Sequence, residues 1–270
     1  MKIVLSALAL MLLISGCASN KGVQGQARSI TALDAENFRI IEKRQALGAS
    51  IASQDRVAWV ASDSVVSNIN PSALDKIEGY VAQGDTQDGY AVFYGYQDDR
   101  YIQVARVDFK DGRLTKDFVE KAIDDNRLLG LVKANNSANR RFNLYTDKLN
   151  IVYNSYIMEN DSGYTVYFIP GSTNDYLVFG GCFRLSSSDS QEWTIEKLHD
   201  GPVAIKFEKV KQSNMLMRTS SNDKLPSETD YAQFHITKQW APVQYIQTSS
   251  YVFLLKYDKV TGFTNTMMVK

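Results

Sequence analysis

Cysteine, histidine and proline are scarce in this chain of 270 residues, at two, two and five copies. Two cysteines cannot form the disulfide framework of a small secreted domain. Nor do two histidines supply the spaced ligand sets of a zinc enzyme. With 16 glycines and so few prolines, a collagen-like or proline-rich chain is excluded. Charge of one sign is missing as well: 30 basic residues balance 30 acidic ones. A nucleic-acid binder usually carries a basic surplus on one face, so that class is set aside. No apolar run reaches the roughly 20 residues that a membrane-crossing helix needs. What is present, 44% apolar and 22% charged residues, describes a chain that folds around a core.

The first residues have an order of their own. Met1-Lys2 is followed by a mostly apolar run from Ile3 to Ile14 and then by Ser15-Gly16-Cys17. One positive charge, a short apolar core and small residues before a break make the anatomy of a secretory signal peptide. The tetrapeptide Ile14-Ser15-Gly16-Cys17 resembles the lipobox of bacterial lipoproteins. That resemblance implies a diacylglycerol on the Cys17 sulfur, cleavage between Gly16 and Cys17, and acylation of the new amino group. One acyl chain holds a protein to a bilayer only marginally, whereas two or more make the attachment stable. Ala18-Ser19 stands where lipoproteins kept at the inner membrane tend to have aspartate. The resemblance therefore implies the outer membrane, with the body facing the periplasm.

Removing residues 1–16 takes away one lysine and no acid, leaving 29 basic and 30 acidic side chains. A nearly neutral body has no electrostatic reason to lie on an anionic bilayer, so the lipid is the attachment. Residues 17–30, with Ser, Asn, Gly and Gln between Ala18 and Arg28, read as a flexible tether. Residues 31–270 then form one domain, with two lobes meeting near residue 140 as the alternative. Once Cys17 is lipidated, Cys182 has no partner for an intrachain disulfide.

In the body, Ile40, Leu47, Ile51 and Ala58 recur at helical spacing and predict a long helix over about 36–60, with Asp34 as a cap. From Ile77 the pattern shortens. Tyr90 to Tyr96 and Tyr101 to Val107 are rich in β-branched and aromatic residues and are bounded by Gly84-Asp85, Asp88-Gly89, Asp98-Asp99 and Asp111-Gly112, a β-meander. A second helix is expected over 116–131, with Thr115 as cap and Leu114 stapled against Val119. Strands follow at 151–153, 156–158, 164–169, 176–185, 193–198, 203–210, 234–236 and 251–257, with a loop at 219–229. Spacing near ten residues without intervening helices predicts an antiparallel sheet. The fold class is α+β. Ile51 to Trp59, and the stretch from Pro170-Gly171-Ser172 to Gly180-Gly181-Cys182-Phe183-Arg184, look like segments of uncharacterised secreted bacterial proteins. That likeness implies an extracytoplasmic domain and no particular activity.

Three kinds of chemistry were weighed for the body. Cys182 with His199 or His235 has the residue types of a thiol–imidazole pair. Yet Cys182 follows Gly180-Gly181 inside an apolar stretch, away from any helix start that would lower its pKa, and reads as a buried structural cysteine. Gly180-Gly181 reads as a bulge or tight backbone crossing. The histidines and Cys182 lie far apart in sequence, so no metal or cofactor is expected. Ser172 lies in a turn and lacks the Gly-x-Ser-x-Gly setting of a nucleophile. Asp98-Asp99, Asp124-Asp125, Asp161 and Asp230 read as solvated surface charge, although paired acids can hydrolyse glycosides. Arg140-Arg141 is too short a basic run to argue for lipid headgroups by itself. Tyr90, Phe93, Tyr94 and Tyr96 pack beneath helices or else line an open sheet face suited to a glycan or partner strand. The sequence thus predicts a lipid-anchored, non-enzymatic module that binds an envelope protein or glycan. Its rivals are an envelope hydrolase with a thiol or acid site and a small-ligand carrier.

Overall fold

The computed structural model describes residues 35–146, 151–173, 175–213, 215–219, 223–258 and 262–269. The signal segment, Cys17, the tether and the Asp34 cap lie outside the described residues. Helix α1, Ala35–Asn68, runs 34 residues, a length of about 51 Å. Ile41, Gly48, Ile51, Gln54, Ala58, Ala61 and Val65 form its buried stripe. Ile51 and Ala58 belong to that stripe as the spacing predicts; Ile40 and Leu47 flank it, half-buried. The helix passes the predicted end and stops before Asn70, whose side-chain oxygen accepts the Ser72 N–H and starts the short α2, Pro71–Leu74.

The meander forms as read. Strands β1 (Gly79–Gly84), β2 (Asp88–Gln97), β3 (Arg100–Lys110) and β4 (Arg113–Asp117) pair in order, and β5 (Lys121–Ala122) adds to β3; these make sheet A. Here the 116–131 helix is corrected. Thr115 and Lys116 pair with Asp108 and Val107 in the sheet, and Val119 is exposed rather than stapled. Asp125 is the residue that caps, accepting the Leu128 N–H at 2.8 Å. Helix α3 then runs Asn126–Thr146.

Sheet A is covered on both faces. Ala82, Ala91, Phe93, Ala105 and Val107 pack on Val57, Ala58, Ala61 and Val65 of α1. Val81, Val92 and Tyr94 pack on Leu128, Leu131, Val132 and Ala138 of α3. The aromatic residues of β2 are therefore core, apart from the exposed Tyr96, and they form no open row.

Beyond α3, β6 (Tyr153–Asn160), β7 (Gly163–Pro170), β9 (Phe183–Ser187) and β10 (Thr194–Lys197) make sheet B in the order β10-β9-β7-β6. β8 (Tyr176–Gly180) pairs with β11 (Pro202–Lys206) as sheet C. Helix α4 (Phe207–Ser213), β12 (Met215–Thr219), helix α5 (Glu228–Thr237), β13 (Val243–Gln247), β14 (Tyr251–Asp258) and β15 (Gly262–Val269) complete the chain. The last four strands form sheet D in the order β12-β13-β14-β15.

Four expectations change here. The 176–185 strand breaks at Gly180-Gly181, where the chain leaves sheet C for sheet B. The 203–210 strand ends at Lys206 and continues as α4. The 234–236 strand lies inside α5, whose cap Ser227 closes the expected loop. Because α5 serves as a crossover, β12 and β13 are parallel, so the sheets are not antiparallel throughout. The class remains α+β. No helix among the described residues is long and apolar enough to cross a membrane.

Candidate functional site

Three separate stretches bring Cys182, His199 and Asp230 together. Gly180 and Gly181 both have positive φ, at 69° and 64°, which only glycine adopts without strain. A Cβ on Gly181 would come within 2.8 Å of the Pro202 nitrogen. This tight crossing turns Cys182 inward, and the Leu198 N–H donates to the Cys182 carbonyl at 2.9 Å, setting His199 alongside. Asp230 comes from the first turn of α5. Ser227 caps that helix, and the Asp230 carboxylate accepts the Ser227 N–H at 2.8 Å and its hydroxyl at 2.9 Å.

The imidazole sits between them. Its Nδ1 accepts the Cys182 N–H at 3.3 Å, and Nε2 lies 3.2 Å from Asp230 Oδ1 and 3.4 Å from Ser227 Oγ. With one proton, on Nε2, the ring satisfies both neighbours. Burial opposes a second proton, but the Asp230 carboxylate and the Cys182 sulfur favour it and prevail, holding the His199 pKa up at about 10. A proton added at Nδ1 would turn from the amide toward the sulfur. The thiol itself is 3.5 Å from the Gly180 carbonyl.

Nucleophile, base and orienting acid are thus in the order that thiol catalysis uses. They are also sealed. Cys182 is 0% exposed, His199 3% and Asp230 0%, beneath Ile51, Tyr156, Tyr167, Ile169 and Leu198. In this arrangement the cluster acts as a clasp joining the 180–182 turn, the 198–201 loop and α5. An ionic extension continues it: buried Glu228 accepts from Arg184 at 2.7 Å, and Arg44 of α1 reaches the Leu225 and Pro226 carbonyls.

The sequence reading placed the buried, structural character of Cys182 correctly, and the tight crossing at Gly180-Gly181 too. It missed that His199 adjoins Cys182. His199, not His235, faces the thiol. Asp230 is not surface charge but fully buried. Its signal was present in Ser227-Glu228-Thr229-Asp230, a capping-box spacing. Asp98, Asp99, Asp124, Asp125 and Asp161 are exposed as read, although Asp124-Asp125 precedes α3 rather than lying on a helix. Ser172 Oγ accepts the Val178 N–H at 3.1 Å and holds a turn. No group of three metal-ligating side chains occurs among the described residues.

Asp55 was not singled out either. The Tyr156 hydroxyl donates to it at 2.5 Å, tying α1 to β6, and burial raises the Asp55 pKa. A separate open cleft of about 580 Å³ lies between the end of α3 and the start of β6, lined by Asn139, Asn143, Thr146, Ile151, Val152 and Tyr153 above Phe142 and Phe168. Leu144, Tyr145 and Val152 are exposed around it. Compared with protein-family models, curated proteins and solved structures, the chain shows no match.

Proposed function

We propose that this chain is a lipid-anchored protein of the bacterial outer membrane whose periplasm-facing body is a non-enzymatic interaction module. The observation that carries the anchor is Ile14-Ser15-Gly16-Cys17 at the end of a short apolar run after Lys2. The burial of the one thiol–imidazole–carboxylate set supports a binding role for the body, since a substrate carbonyl has no path to the Cys182 sulfur. The α3–β6 cleft, with apolar side chains exposed around amide walls, is the surface such a role would use. Its volume also favours a second reading, a small-ligand carrier.

Mild cross-linking of the native lipidated protein in its own envelope, followed by mass spectrometry, tests the first reading. One stoichiometric protein partner, lost in Val152→Asp and retained in Cys182→Ala, is the expected result. Copurification of a small ligand would favour the carrier. Loss of function in Cys182→Ala with the fold intact would favour the hydrolase.

A further inference from the structure

Sheet D differs from sheets A and B in having one face that nothing described covers. Register alternates its side chains. Gln244, Ile246, Phe253 and Leu255 point to α5 and are buried. Their neighbours Val243, Tyr245, Val252 and Leu254 point the other way, are half-exposed, and join none of the hydrophobic clusters among the described residues. Met217, opposite Tyr245 on β12, is 64% exposed. Lys256 adds the one charge found among these described positions. An antiparallel sheet with a solvated face normally alternates to polar residues there; an apolar face in this position marks a contact surface.

Resting on the lipid-anchor reading, we propose that this outer face of sheet D lies on the phospholipid surface that holds the anchor. The chain reaches the fold at this sheet: Ile41, near the start of α1, packs with Ile246, Phe253 and Leu255. Seventeen residues separate Cys17 from Ala35, a reach of at most about 60 Å fully extended. Sheet A is carried from Val57 onward, roughly 24 Å farther along α1. The anchor therefore holds sheet D, rather than sheet A, next to the bilayer. A second copy fits the face less well. Four strands of five to eight residues present roughly 400 Å², so stacking two copies would bury about 800 Å², short of the ~1,200 Å² of a stable complex. A planar bilayer sets no such minimum, and Lys256 complements its anionic headgroups.

The test uses the full lipidated chain with Met217→Cys, or Gln97→Cys at the end of β2 as the control, each labelled with an environment-sensitive dye. Cys182 is 0% exposed and Cys17 is blocked by its lipid, so the dye reports the introduced site. The protein is reconstituted into vesicles of phosphatidylethanolamine and phosphatidylglycerol that carry a nitroxide quencher near the top of the acyl chains. The 217 label should lose roughly half its emission, as expected for a group held at the headgroup boundary. The 97 label should be little changed, and the difference should survive added salt because the contact is apolar. Equal emission at both sites in a protein that floats with the vesicles overturns the proposal and leaves the anchor standing. A protein that does not float overturns the anchor, and the proposal with it. A 217 label already shielded in soluble Cys17→Ala protein, in proportion to protein concentration, replaces the bilayer with a second copy.

Discussion

Gly48 stands where α1 crosses α5 with almost no space between backbones. A Cβ there would come within 2.5 Å of the Tyr231 Cβ and 2.6 Å of the Glu228 carbonyl oxygen. Alanine would gain helix propensity but force the helices apart, and overpacking of this kind costs about 1–3 kcal/mol. Gly48→Ala should therefore lower the unfolding free energy measured in urea; an unchanged or higher value would contradict the close crossing. His199 offers a second test at this scale. Its folded pKa is raised from 6.5 to about 10, burial being outweighed by Asp230 and Cys182. The stabilisation is complete below about pH 6.5 and is lost as pH rises toward 10, since the folded state holds the proton more tightly. His199→Gln should flatten the decline of stability over that window, and a decline as steep as in the parent would refute the clasp. Individual residues were only partly legible. Burial of Cys182 follows from its apolar neighbours, but that of Asp230 depends on a crossover that brings α5 under sheet B.

At the scale of elements, the helices that sequence spacing located are those whose partner surface lies on one side. The repeat through Ile51 and Ala58 is visible because α1 keeps one stripe against α5 and all the sheets it passes. Helix α3 is less visible because it lies between sheets A and B and is buried on several sides. It also carries Asn135-Asn136-Ser137-Ala138-Asn139, weak helix formers outweighed by packing and by the bond from Asn135 to the Tyr80 carbonyl at 3.0 Å. Helix α5 begins at a buried capping box, so Ser227→Ala removes an N-cap and a bond to Asp230 together. The expected loss is about 1–2 kcal/mol, read by urea denaturation. A change within about 0.5 kcal/mol, the range of ordinary surface substitutions, would show that the cap does not hold the helix.

Across the whole molecule, α1 is the common support, with sheet D near its start and sheet A toward its end. The α+β class and the first meander could be read from turn residues and strand composition. The division into sheets could not, because it depends on which edges are sealed by side chains. Gln54 and Gln83 donate to the Ile157 carbonyl and close the β6 edge without a strand, a pairing that no local pattern encodes. At this scale the anchor predicts that Cys17→Ala moves the protein from membrane to soluble fraction with the fold unchanged, read by fractionation and circular dichroism. Retention in the membrane would place the attachment elsewhere.

The most direct test of the account is the mass of the N-terminal peptide from protein isolated from bacterial membranes. A chain that begins at Cys17 and carries diacylglycerol with a further acyl group is the predicted result. An unmodified Cys17, or a chain that still begins at Met1, would contradict it.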